Sequence, residues 1–275
     1  MRDEYIFRRR RASDGWRLLA LAAITAASVA GLIICSRNLE VHDPGGPRSA
    51  RERGAPARTS GDGVQLVAED LPLLSQPQPV ASIRPRPSQF SRGIWRRVEA
   101  MENDLLQARR RLHQMPELAG REVRTAAFVA GVLRKLGLDV QTGVAGTGVV
   151  ALVQGGRPGP VVAARASMDG VPVAEETGLP FASTEKGLFL GRQVPVSHAS
   201  GHDVEMVVLL GAAEILADLR KELPGAVKLI FQPAGEVAPT GEQEGAPAMI
   251  RAGVLESPTV SALLALKVQP ALRVA

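Results

Sequence analysis

Apolar residues are distributed along this chain in sharply different ways from one region to the next. From Leu18 to Cys35 runs an uncharged stretch of 18 residues, LLALAAITAASVAGLIIC, at the short end of what spans a bilayer as a helix. Between residue 37 and about residue 90 no apolar period is sustained, and Pro72, Pro77, Pro79, Pro85 and Pro87 punctuate the second half. Such a segment buries too little apolar surface to offset its ordering entropy and reads as a flexible, locally extended tether.

From Ser91 onward the pattern becomes that of a folded domain. Ile94, Val98, Met101, Leu105 and Leu112 fall at helical spacing and predict an amphipathic helix as far as His113, ended by Pro116. A second helix is expected over Arg121–Leu136, with Gly137 as its stop. Short β-type runs follow at Asp139–Thr142, Gly148–Val153 and Val161–Ala166. Val207–Leu219 is apolar on most of its surface and predicts a buried helix. Gly225–Phe231 and Ala262–Val268 read as buried strands on either side of a helix at Ala246–Ala252. Strands alternating with helices predict an α/β sheet with helices on both faces.

Charge sharpens this division. Residues 1–97 hold 16 Lys/Arg against 9 Asp/Glu, whereas 98–275 hold 17 against 19. The positive excess therefore lies outside the folded domain, which argues against a nucleic-acid-binding surface. Arg8–Arg11 and Arg17 precede the apolar stretch and only Arg37 follows closely, so the N-terminus is expected to stay in the cytoplasm. The expected organisation is a basic tail over 1–17, a transmembrane signal anchor over 18–36, a linker over 37–90 and an exported domain over 91–275. That domain would be periplasmic or extracellular. The alternative for the apolar stretch is a cleaved signal peptide, with Ser28-Val29-Ala30 as the small-residue site. The single cysteine, Cys35, allows no intramolecular disulfide.

Several short motifs then occur in a telling order. They are Arg110-Arg111-Leu112-His113-Gln114-Met115-Pro116-Glu117-Leu118, Gly146-Thr147-Gly148-Val149-Val150-Ala151, Arg165-Ala166-Ser167-Met168-Asp169-Gly170, His198-Ala199-Ser200-Gly201-His202-Asp203, and Phe231-Gln232-Pro233-Ala234-Gly235-Glu236. In combination they resemble the aminoacylase, hippurate hydrolase and auxin-conjugate hydrolase branch of the zinc-peptidase-like metallo-amidohydrolases. The resemblance implies a partial zinc-peptidase-like three-layer fold, the N-terminal half of a catalytic domain without its lid and dimerisation domain. It also implies two zinc or manganese ions that polarise an amide carbonyl and activate water, with a glutamate as general base.

Matched position by position, the resemblance makes His202 and Glu236 metal ligands. Ser200 stands where the family has a ligand cysteine, and an alcohol binds such metals poorly compared with a thiolate. Gly235 stands in place of the general-base glutamate. Lys267 replaces a ligand histidine, and a protonated amine has no lone pair to offer. Ser167 takes the place of the first aspartate of the family's Asp-Met-Asp run, Asp169 matches the second, and Glu205 replaces a further histidine. No intact catalytic residue is expected. No metal cofactor is expected either, with zinc or manganese required if the site works.

Two questions stay open at this level. His202, Glu236 and Asp169 would form a one-metal site, or His202 and Asp203 would cap the helix that follows. Lys267 would act as a counter-ion to Glu236 or Asp169, or it would extend to solvent. The expected function is a membrane-tethered relative of hydrolases of N-acyl amino acids, inactive or strongly impaired. The alternatives are an active metal-dependent amidohydrolase cleaving N-acyl amino acids or small peptides, and an exported scaffold that binds a protein partner, or a second copy, at an exposed sheet edge.

Overall fold

The computed structural model of the chain describes residues 89–236 and 245–268. The expected tail and membrane anchor (1–36) and nearly all of the expected tether lie outside the described residues. Among those described, no helix is long and apolar enough to cross a membrane.

The elements run α1 (Gln89–Gln114), α2 (Val123–Lys135), β1 (Asp139–Val144), β2 (Gly148–Gln154), β3 (Arg157–Ser167), β4 (Lys186–Phe189), β5 (Arg192–Pro195), α3 (His202–Asp218), β6 (Pro224–Gln232), α4 (Gly245–Arg251) and β7 (Val260–Ala265). In α1 the predicted stripe is the buried one: Ile94, Val98, Met101 and Leu112 all face the core. Helix α2 stops as its sequence requires. Gly137 takes φ of 71°, its N–H donates to Arg134 O, and the Leu138 N–H donates to Leu133 O, which is the Schellman pattern of paired bonds.

Five strands form one sheet in the order β1-β2-β6-β3-β7, with β4 and β5 as a separate hairpin. Strand β6 lies at the centre, antiparallel to β2 and parallel to β3, and β3 is parallel to β7. Because side chains alternate along a strand, Val227, Leu229 and Phe231 enter the large core while Ile230 enters a smaller one on the opposite face. Residues of α1, α2 and α3 complete the large core, and Met249 of α4 belongs to the small one. Helices therefore cover both faces, and this is why the central strands read as continuous apolar runs. Helix α3 is buried almost all round, as its uniform apolarity predicts.

Three departures from the sequence reading stand out. Helix α3 begins at His202, five residues earlier than the apolar run suggests, because its polar first turn is itself buried. Neither His202 nor Asp203 caps it: the position before the helix is Gly201 at φ of 81°, and no side chain caps the end. The β4–β5 hairpin carries no alternation strong enough to have been anticipated; Leu188 and Leu190 on it are exposed.

The parallel strands β3, β6 and β7 all end on the same edge of the sheet, where α3 begins. Ligand sites in open α/β sheets form at such carboxyl ends, and the motifs gather there.

Phe231 is fully buried on the central strand. Replacing it with Ala is expected to cost about 3–5 kcal/mol in urea unfolding, against about 0.5 kcal/mol or less for Leu188→Ser. Equal effects would mean that the central strand is not where the core lies.

Candidate functional site

The loop after β3 carries Asp169, which is buried and saturated with partners. Its Oδ1 accepts the Gly235 N–H and its Oδ2 the Glu236 N–H, each at 2.8 Å. His202, in the first turn of α3, directs Nδ1 at the Asp169 carbonyl oxygen (2.8 Å), with the Asp169 Oδ1 at 3.2 Å. Burial works against the charged form of Asp169, but the bond from His202 and the two backbone N–H groups prevail and hold its pKa below the ordinary value. Burial likewise opposes a charged His202, and the Asp169 carboxylate outweighs it and raises the imidazole's pKa.

The other imidazole nitrogen faces the pocket. His202 Nε2 lies 3.1 Å from Glu236 Oε1 and 3.1 Å from Lys267 Nζ. Lys267 Nζ is 3.2 Å from Glu236 Oε1 and 3.6 Å from Glu205 Oε1. With neutral His202, Nδ1–H donates to the Asp169 carbonyl and Nε2 accepts from the lysine. With charged His202, Nε2–H donates to Glu236. Asp169 and Glu236 occupy opposite sides of the same ring, so these two carboxylates and His202 do not converge on one point. The one-metal arrangement on His202, Glu236 and Asp169 is thereby set aside: Asp169 orients the imidazole instead. Lys267 pairs with Glu236, not with Asp169.

Two further substitutions shape the pocket. A Cβ at Gly235 would lie 2.5 Å from Ser167 Oγ and 3.0 Å from Asp169 Oδ1, so a glutamate there requires Ser167 to move. Ser167 in turn accepts a bond from Arg165 Nη2 (2.6 Å), while Arg165 Nε donates to Gln232 Oε1 (2.9 Å). Ser200 Oγ and both ring nitrogens of His198 are buried without hydrogen-bond partners among the described residues. Burial pushes the His198 pKa down to about 4, so this imidazole is neutral.

Two groups hold the site that the sequence either left unmarked, Glu122, or offered only as a helix cap, Asp203. Glu122, fully buried, accepts the Ala234 N–H (2.7 Å) and the Gly120 N–H (3.0 Å) on Oε1, and the Thr147 hydroxyl on Oε2 (2.5 Å). It fixes the 233–236 loop from below, including Ala234 at φ of 46°. Burial raises its pKa, and these bonds oppose the rise. Asp203 reaches away from the pocket to His113 Nδ1 (2.9 Å) and Arg109 Nε (3.1 Å) on α1. His113 Nε2 meets Glu175 at 3.0 Å. Burial opposes charge on Asp203, yet His113, His198 and Arg109 bring its pKa down to about 2. A glutamate just before a helix reads as a solvated first-turn acid, and nothing in the chain near residue 122 signals its burial.

Three parallel strands thus end beside a histidine–carboxylate cluster at the start of a buried helix, the place where open α/β sheets hold their ligands. Residues 163–274 match the family described as Peptidase family M20/M25/M40. The chain is 43% identical over 159 residues to "Thermostable carboxypeptidase 1" of Saccharolobus solfataricus, covering 58% of this chain and 38% of that protein. It is 39% identical over 163 residues to "N-acyl-L-amino acid amidohydrolase" of Geobacillus stearothermophilus, covering 59% and 41% respectively. Among solved structures, the Bacillus subtilis YXEP protein, described as a dinuclear metal binding peptidase from the M20 family, superposes with a TM-score of 0.56 at 37% identity. That match covers 64% of this chain and 45% of that one. The folded region of this chain is therefore similar to part of the M20-type amidohydrolases. The chain spans about two fifths of the length of the curated relatives it matches.

The relatives' metal pair was tested against the side chains present here. The corresponding positions offer an alcohol, an imidazole, a carboxylate and an ammonium, with the ammonium nitrogen itself between the imidazole and the carboxylate. No group of three or more His, Cys, Asp or Glu able to hold a metal ion occurs among the described residues. This donor set does not fit two divalent ions.

The site's supports give two expected outcomes. Asp169→Asn leaves one of the Gly235 and Glu236 N–H groups facing an amide donor, and a loss of about 1–3 kcal/mol in denaturant unfolding is expected; an unchanged midpoint would contradict it. His198 has a folded pKa of about 4 against 6.5 for the free group. Between those values the unfolded chain binds the proton that the folded one refuses, so stability falls as pH falls, by roughly 3 kcal/mol in all. Urea midpoints at pH 7 and pH 4.5 check this: His198→Gln is expected to lose less than wild type, and equal losses would contradict the assignment.

Proposed function

We propose that this protein is an amidohydrolase-like relative of hydrolases of N-acyl amino acids whose own hydrolytic activity is absent or strongly impaired. The observation that carries the reading is Gly235. The position that the resemblance assigns to the general base has no side chain, and the space beside it is taken by Ser167 and Asp169. Of the neighbouring carboxylates, Glu205 is fully buried and faces the Lys267 ammonium at 3.6 Å, and three others are engaged. Asp169 is occupied by two backbone N–H groups and His202, Glu122 by the Ala234 and Gly120 N–H groups and Thr147, and Glu236 by Lys267 and His202. A base must be free to take a proton within hydrogen-bond reach of the attacking water.

What the remaining residues would do is position a ligand. The Lys267 ammonium, 55% exposed, presents polar hydrogens at the mouth of the site, a group suited to a carboxylate or an amide carbonyl. Binding without turnover is thus the chemistry that the site supports, with a small N-acyl amino acid as the ligand class carried over from the relatives. The membrane-tethered, exported placement is proposed from Leu18–Cys35 and the arginines before it. A second reading, a partner-binding scaffold, draws on β7, an outer strand of the sheet whose Leu263 is 46% exposed.

Hydrolysis of N-acetyl and N-benzoyl amino acids, followed with zinc or manganese supplied and then with a chelator, tests the proposal. The expected result is no metal-dependent turnover above the uncatalysed rate. Turnover that the chelator abolishes would overturn it.

A further inference from the structure

We propose that the Lys267 ammonium is the resident cation of a pocket with three acceptors, His202, Glu205 and Glu236, and that removing it opens a site for a single divalent metal ion. The inference rests on the reading of the site as one that no longer holds a metal pair, and it concerns what took the metal's place.

Glu205 makes the case. It sits in the first turn of α3, its side chain is 0% exposed, and its Oε1 has no hydrogen-bond partner among the described residues. Its Oε2 has only the Ser167 N–H at 3.4 Å. An ionised carboxylate so placed is costly unless a cation faces it, and the cation facing Oε1 is Lys267 Nζ at 3.6 Å. The same nitrogen lies 3.1 Å from His202 Nε2 and 3.2 Å from Glu236 Oε1. Three acceptors from α3 and from the loop after β6 therefore surround one ammonium nitrogen.

Both Glu205 and Lys267 occupy positions where the resemblance expects histidine. The two exchanges are complementary: one adds a buried negative charge, and the other brings a positive charge to it. An ammonium supplies hydrogens to acceptors at about 3 Å, whereas zinc requires N and O ligands at about 2.0–2.2 Å. Contraction of the three side-chain ends by about 1–1.5 Å would convert one geometry into the other. The lysine reaches in from beyond the end of β7, and its side chain is 55% exposed. Truncating it thus opens the pocket to solvent and leaves the core of the sheet intact.

The test is titration of the full-length chain with cobalt(II), read by its d–d absorption, and with zinc(II), read by equilibrium dialysis. Wild type and Lys267→Ala are compared, with Lys267→Met as a second truncation should the first fail to fold. The truncated variant is expected to take up one equivalent of metal at least roughly tenfold more tightly than wild type, since it no longer sets an ammonium against a dication. Adding Glu205→Gln or His202→Ala is expected to abolish that gain. Equal affinities in wild type and both truncations, or a gain that survives both added substitutions, would overturn the inference. Those outcomes leave the functional proposal standing, whereas chelator-sensitive turnover by wild type would remove the functional proposal itself.

Discussion

The carboxylate of Asp169 is the constraint from which the site follows. It sits at the end of β3, accepts the backbone N–H groups of Gly235 and Glu236, and places its carbonyl and one carboxylate oxygen against His202. One buried group thereby ties together the loop after β6 and the first turn of α3, and it decides which imidazole nitrogen faces the pocket. Glu122 performs the matching task for Ala234 from the other side of the loop. Charge-assisted bonds of this kind are stronger than neutral ones, and a loop holding a residue at positive φ needs such over-determination to persist.

What the frame holds is a different set of functional groups. At the positions to which the resemblance assigns a base, a thiolate and an imidazole stand Gly235, Ser200 and Lys267. The pocket contains the carboxylates of Glu205 and Glu236, and the lysine lies against both. Relatives in the M20 family include a dinuclear metal-binding peptidase. Here the Lys267 ammonium, which has no lone pair to offer a metal, lies between the imidazole of His202 and the carboxylate of Glu236.

Much of the fold was legible because burial on both faces leaves a direct trace in the sequence. The runs at Gly148–Val153, Val161–Ala166 and Gly225–Phe231 became β2, β3 and β6, each extended by a residue or more. Gly137 stopped α2 through its left-handed conformation. Legibility failed where polarity and burial part company. The first turn of α3 is His-Asp-Val-Glu, and a cap was one of two roles open to His202 and Asp203, whereas its polar residues are interior: Asp203 turns to His113 and Arg109, and Glu205 to Lys267. Glu122 was invisible for the same reason. The importance of Lys267 was legible only through the family resemblance; that it meets Glu236 and Glu205 but not Asp169 required the strand order, which no local pattern encodes.

Anomalous diffraction at the zinc edge, on crystals of the wild-type protein equilibrated with zinc, tests the central claim most directly. A cation already supplied by the protein predicts no anomalous peak between His202 and Glu236, with Lys267 Nζ in density within hydrogen-bond reach of both. A peak at about 2.1 Å from His202 Nε2 and a Glu236 oxygen, with Lys267 turned away to solvent, would contradict it.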